Sequence, residues 1–125
     1  MKTDMSQMII AVVDDLFFAS KIRGTAEQLG VSVRFAKTAD EALAAAQAEM
    51  PRLIIVDLHS QRCDAIELAK RLKADENLRT VSLVGFFSHV QTDLQRKAEE
   101  AGFDQLMPRS AFANSLSKIL LLTEE

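Results

Sequence analysis

The chain has no tryptophan or tyrosine, one cysteine, two prolines and four glycines in 125 residues. A lone thiol, Cys63, excludes an internal disulfide and suits a reducing compartment; it reads as a small apolar residue near a helix start rather than as a reactive group. Seven phenylalanines give base stacking little to build on. The 15 Lys and Arg residues are interspersed with 18 Asp and Glu, net charge -3, and no dense basic cluster offers a footprint for a phosphate backbone. Direct nucleic-acid binding is not expected. No apolar run approaches the ~18 residues of a membrane span, and residues 1–7, with Lys2, Asp4 and Ser6, hold no signal-peptide core. The expectation is a cytoplasmic protein without membrane contact. Linkers rich in Gly or Pro, low-complexity tracts and repeats are also missing, and the length suits one domain of ~100–150 residues, with its core over about 8–122.

What is there is alternation. Strand-like and helix-like runs follow one another as five pairs, the pattern of βαβ units and a parallel sheet. Met8 to Val13 is almost wholly apolar, as a strand covered on both faces should be. A helix from about Phe17 to Leu29 carries Ile22, Ala26 and Leu29 on one stripe and ends at Gly30. Val31 to Phe35 alternates like an edge strand, and Thr38 with Glu41 forms a capping box before an Ala-rich helix. Leu53 to Asp57 is the third strand, followed by a helix from about Asp64 to Ala74 with Ile66, Ala69 and Leu72 inward. Val81 to Phe86, about Gln91 to Ala101, and Phe103 to Met107 complete the series. A last helix is capped by Ser110 and packs through Phe112, Leu116, Ile119 and Leu120.

Two apolar runs stop at carboxylates: Asp14 and Asp15 after the first strand, Asp57 after the third. In an open parallel α/β sheet, ligands bind beyond the carboxyl ends of the strands where strand order reverses. One Asp at a strand-to-helix junction is usually an N-cap; three at two neighbouring ends repel by several kcal/mol unless a cation or proton intervenes. Mg²⁺, which takes oxygen ligands and keeps several waters, suits such a pocket.

This pattern resembles the CheY-like receiver domain of bacterial response regulators over nearly the whole chain. The likeness rests on the five β/α pairs, the Asp14-Asp15 pair, Asp57, Ala101-Gly102 and their spacing. It implies a flavodoxin-like, doubly wound (βα)5 fold with strand order 2-1-3-4-5 and helices on both faces. It also implies Asp57 as acceptor of a phosphoryl group from a sensor histidine kinase or other phosphorelay protein. Mg²⁺ would then be bound by Asp14, Asp15, Asp57 and the His59 backbone carbonyl. Two positions depart from the family pattern. The Thr or Ser that usually ends the fourth strand falls on Phe87, with Ser88 a possible substitute one residue later, and the usual Lys falls on Arg109. Leu106 takes the place of the frequent aromatic in the fifth strand. Arg109 keeps the charge and, at the position of that Lys, is implied by the resemblance to pair with Asp57, but its planar head has a different reach. Phe87 is expected to crowd the phosphoryl pocket or fold over it. An atypical switch follows, with Arg109, Ser88 or His89 sensing a phosphoryl charge of roughly -2.

Other readings have their own residues. A phosphorylation-independent pseudo-receiver would keep the fold as a protein-protein interaction module. Its fourth helix, fifth strand and fifth helix would form the docking face, and Leu120-Leu121-Leu122, too many for one stripe, suggest a homodimer. A small flavodoxin-like or dehalogenase-like enzyme lacks its Asp-x-Asp motif, phosphate loop and Ser-His or Cys-His pairing. No turnover is expected beyond autophosphorylation from a phosphodonor and autodephosphorylation at Asp57. Asp57-Leu58-His59 is similar to the start of the cobalamin-binding signature Asp-x-His-x-x-Gly, but Arg62 stands at its glycine. No effector domain is recognisable, so the expectation is a stand-alone or excised receiver.

Overall fold

A computed structural model describes residues 8–88 and 91–121. The strands are β1 (Ile9–Val12), β2 (Val33–Ala36), β3 (Leu53–Asp57), β4 (Ser82–Phe87) and β5 (Gln105–Pro108). The helices are α1 (Leu16–Leu29), α2 (Ala39–Ala48), α3 (Ala65–Ala74), α4 (Thr92–Ala101), α5 (Arg109–Asn114) and α6 (Leu116–Leu121). All strand pairings are parallel and the order is β2-β1-β3-β4-β5. This is the doubly wound, flavodoxin-like arrangement expected from the alternation.

The sheet is covered on both sides because its central strands are apolar on both faces, with Ser82 and Asp57 only at strand ends, so each face needs its own helical layer. Ile10, Val12, Ile54, Val56, Leu83 and Phe87 face α2, α3 and α4, packing with residues such as Leu43, Leu68 and Ala98. Ile9, Ala11, Leu53, Ile55, Val84 and Phe86 face the other layer, with Phe18 and Ile22 of α1, Phe112 of α5 and Leu116 of α6. Each buried Ile, Leu or Phe is worth about 1.5–3 kcal/mol of transfer free energy. Ile9 pairs with Leu53 and Val12 with Val56, so β1 and β3 finish level with each other.

Helix starts follow the side-chain caps. Thr38 accepts from the Glu41 N–H at 3.1 Å, and the Glu41 carboxylate reaches back to the Lys37 N–H at 2.8 Å, a capping box displaced by one residue at its return bond. Asp64 caps α3, so the helix itself starts at Ala65, and Leu68, absent from the expected stripe, is fully buried like Ala69 while Ile66 is only half-buried. Gly30, at φ 72°, closes α1.

The last helix departs from expectation twice. Ser110 does not cap it: the helix begins at Arg109 directly after Pro108, and Ser110 lies within its first turn. It also breaks at Ser115 into α5 and α6, although Phe112, Leu116, Ile119 and Leu120 are all buried as the stripe requires. The Ser115 carbonyl still accepts from the Ile119 N–H at 2.9 Å, so the break is a bend between two hydrogen-bonded turns. Leu121 is 43% exposed; Leu122 lies outside the described residues.

Gly85 sits mid-strand in β4 opposite Leu106 of β5. A Cβ there would lie 2.9 Å from both Leu106 Cδ2 and Phe103 Cε2. Gly85→Ala is therefore expected to destabilise the fold by about 1–3 kcal/mol through overpacking, read as a lower urea midpoint at unchanged slope.

Candidate functional site

The level ends of β1 and β3 set the site. β2 lies on the far side of β1 from β3, so the chain reverses direction across the sheet between them, and the crevice expected at such a point holds Asp14, Asp15 and Asp57. Each carboxylate has a different set of partners.

Asp14, which follows β1, is held by the loop after β3. Its Oδ2 accepts from the Ser60 hydroxyl at 3.0 Å and from the backbone N–H groups of Gln61 at 3.0 Å and Arg62 at 3.3 Å. Its Oδ1 is buried and accepts no hydrogen bond among the described residues. A buried oxygen without a donor costs about 1–3 kcal/mol relative to a satisfied one. The Ser60, Gln61 and Arg62 donors were invisible in sequence because they come from 46 to 48 residues away.

Asp15 has both oxygens engaged. Oδ1 caps α1 by accepting from the Phe18 N–H at 3.1 Å, and Oδ2 forms an ion pair with the Arg109 guanidinium. The Phe18 N–H and then the guanidinium hold the Asp15 carboxyl below its ordinary range, against a smaller opposing effect of burial. Arg109 in turn lies over the Phe18 ring, 4.7 Å from its centroid. Such a contact contributes about 0.5–1 kcal/mol at an exposed site. Side chains of both ion-pair partners are about a third exposed (37% and 36%), so water weakens the pair to roughly 1 kcal/mol or less. Arg109 thus pairs with Asp15 rather than with Asp57, the partner that the resemblance implied. Phe18 belongs to the same helical stripe as Ile22 and Ala26, which was the available signal for it.

Asp57 is half-buried at the end of β3. Its Oδ1 accepts from the His59 N–H at 2.9 Å and its backbone carbonyl from the Ser60 N–H at 3.1 Å, closing the turn that carries the loop. Burial pushes its carboxyl above the usual range; the His59 N–H and the charges of His59 and Arg109 oppose this, and the charge of Asp14 adds to it. Electrostatically the three acids and Arg109 form one group.

Phe87 does not close over the crevice from solvent. It is 6% exposed and packs into the core on the α2–α3–α4 face. With Ser88, which lies beyond the strand and is exposed, it borders a shallow depression shared with Phe18, Pro108 and Arg109. Leu106 is half-buried on the same face, beside Gly85. His89 lies outside the described residues. Cys63 is buried, and desolvation, with the charges of Asp64 and Asp14, pushes its thiol up to about 11, which keeps it unreactive.

In this arrangement the acids do not fit a Mg²⁺ ion. Among the described residues no group of three His, Cys, Asp or Glu side chains stands in position to hold a metal. Asp15 is committed to an N-cap and a guanidinium and Asp14 Oδ2 to three donors, so that among the described residues Asp14 Oδ1 and the second oxygen of Asp57 are the carboxylate oxygens of the crevice without a hydrogen bond.

The two carboxyl shifts make opposite pH predictions. Asp15, held low, contributes stability that is fully present above its ordinary value of 3.8 and is lost as pH falls below it. Asp15→Ala is expected to cost about 0.5–2 kcal/mol at pH 7, the range for a lost N-cap, and Asp15→Asn to lose its penalty below about pH 3.8. Asp57, held high, opposes folding when ionised. Asp57→Asn is therefore expected to stabilise the protein by about 0.5–2 kcal/mol at pH 7 and to leave it unchanged in strong acid. Thermal unfolding from pH 3 to 8 measures both.

No protein-family model and no curated protein matches the chain. Solved structures match its fold closely. The chemotaxis response regulator CheY4 of Vibrio cholerae superposes with a TM-score of 0.81 at 19% identity, over 94% of this chain and 98% of that one. A response regulator signal receiver domain from Bermanella marisrubri gives 0.80 at 17%, over 94% and 97%. The phosphorylated cyanobacterial phytochrome response regulator RcpA gives 0.77 at 20%, over 93% and 89%. The chain therefore has the response-regulator receiver fold over the 93–94% of its length that superposes, at identities where likeness speaks for architecture and leaves the chemistry to the residues.

Proposed function

We propose that this domain receives a phosphoryl group in two-component signalling, with Asp57 as the acceptor. The observation that carries the reading is the Asp57 carboxylate itself. It stands at the carboxyl end of a central parallel strand, in the strand-order crevice, with one oxygen fixed by the His59 N–H and no other hydrogen bond to its side chain among the described residues. A carboxylate held at one oxygen presents the other to an electrophile. The donor would be a phosphohistidine of a sensor kinase or another phosphorelay protein: the free Asp57 oxygen attacks phosphorus, the N–P bond breaks, and the departing imidazole takes a proton from water. Phosphoryl transfer depends on positioning and on neutralising oxygen charge, and Arg109 is the cation already within reach of the group.

Readout would also run through Arg109. The hydroxyl usual at the end of the fourth strand is replaced by Phe87, which faces the core. Arg109, by contrast, opens α5 and lies on Phe18. Phe18 packs on Phe86 at 5.0 Å and Phe112 at 5.6 Å, and Phe86 stacks on Phe112 at 4.7 Å. A phosphoryl group of charge about -1.5 to -2 on Asp57 would draw the guanidinium from Asp15, and the aromatic stack would carry its movement into α5. The face formed by α4, β5 and the α5–α6 segment, with Leu121 exposed at its end, is the surface proposed for a partner or a second copy of the chain.

Incubation with a small-molecule phosphodonor, such as acetyl phosphate or phosphoramidate, followed by intact-mass measurement, tests the reading. The expected result is one phosphoryl adduct, labile in alkali and lost in Asp57→Asn. No adduct, or one that survives in Asp57→Asn, would leave the phosphorylation-independent interaction module as the function.

A further inference from the structure

We infer that Arg109 is the built-in counter-cation of the acid pair: it stands on Asp15 where a divalent ion would otherwise be bound, so that divalent-cation binding requires its departure. The inference rests on the geometry of Asp14, Asp15 and Arg109 and is independent of whether Asp57 is phosphorylated.

Asp15 has nothing left to offer a metal. One oxygen is fixed by the Phe18 N–H at 3.1 Å and the other by the guanidinium. Arg109 is held from a second direction by the Phe18 ring, 4.7 Å below it, and Phe18 is fixed by burial between Phe86 and Phe112. The placement is not a helix preference. Arg109 is the first residue of α5, where the helix dipole disfavours a cation, so the attraction that keeps it there is the carboxylate across the crevice. A dication beside the same carboxylates would face this charge at close range, and Coulomb repulsion opposes their coexistence.

The unmet need in the crevice lies at Asp14. Its buried Oδ1 has no donor among the described residues, and Arg109 serves Asp15 rather than Asp14. Removing the guanidinium would free Asp15 Oδ2, so that the crevice held two carboxylate oxygens without a donor and a net negative charge. The Asp15–Arg109 pair is about a third exposed at each partner, so it is a competitor that a cation can displace rather than a permanent block. In this chain the replacement of the usual lysine by arginine would change metal dependence, because the fork of a guanidinium can grip a carboxylate and stack on a ring at once.

The test is a Mg²⁺ titration followed by amide NMR, with Mn²⁺ line broadening to locate the ion. It is run on the unmodified chain, on Arg109→Gln, on Arg109→Lys and on Arg109→Gln combined with Asp14→Asn. Arg109→Gln is expected to bind Mg²⁺ at least about tenfold more tightly than the unmodified chain, Arg109→Lys by an intermediate factor, and the double variant is expected to lose the gain. Equal affinity with and without Arg109, whether strong or absent, would overturn the inference, as would a gain that survives loss of Asp14. Should Arg109→Gln fail to fold, the unmodified chain still decides. Its Arg109 Nε–H resonance must shift as Mg²⁺ saturates, and binding that leaves this resonance in place, or no binding up to molar Mg²⁺, overturns the claim.

Discussion

The parallel pairing of β1 with β3, Ile9 beside Leu53 through Val12 beside Val56, is the constraint from which the acidic crevice follows. All four pairs are fully buried, and each Ile, Leu or Val side chain among them contributes about 1.5–3 kcal/mol by its removal from water. A slip of one residue would turn every one of them to the opposite face of the sheet, so the register is strongly specified. Level strand ends then oblige Asp14, Asp15 and Asp57 to share one region of space. The acids do not assemble the fold; the apolar strands assemble it and leave the acids where repulsion has to be answered.

Three different answers are found. Asp14 is answered by donors from the loop after β3, Asp15 by an N-cap bond and a guanidinium, and Asp57 by one backbone N–H together with an upward shift of its own carboxyl. The inequality is what makes the site interesting chemically. The most fully compensated acid, Asp15, is structural as it stands. The least compensated, Asp57, is the one whose charge would change on phosphorylation, and Arg109 is the group positioned to register that change. Arg109 also joins the crevice to the aromatic packing of Phe18, Phe86 and Phe112 beneath α5. In a chain without a hydroxyl at the end of β4, that packing is the available mechanical route from the acids to the outer surface.

Most of the architecture was legible in the sequence because it is written locally. Apolar runs bounded by Gly30, Pro51 and Gly102 mark the strands, and Thr38, Asp64 and the Ala-rich stripes mark helices. Strand ends were less exact: β4 runs Ser82–Phe87 rather than Val81–Phe86, since pairing with β3 and β5 extends it to Phe87, whose partner is Pro108. The Ser110 cap failed because Pro108 feeds the chain straight into α5, with its φ of -63° already suited to the turn. The partner of Arg109 was not legible at all. Asp15 is 94 residues away, and the resemblance pointed to Asp57 instead. The orientation of Phe87 was equally hidden, because strand alternation fixes a face only when the strand's exact end is known.

The central claim is that Asp57 is a working acceptor whose charge is read by Arg109. Its most direct test is residue-resolved NMR of the chain titrated with beryllofluoride, a mimic of a bound phosphoryl group, following the Arg109 Nε–H, the Asp14, Asp57 and His59 amides and the Phe112 ring, with Asp57→Asn as control. The account predicts saturable shifts at all of these in the unmodified chain and none in the variant. Silence at Asp57, or shifts at Asp57 that leave Arg109 and Phe112 unmoved, would contradict it.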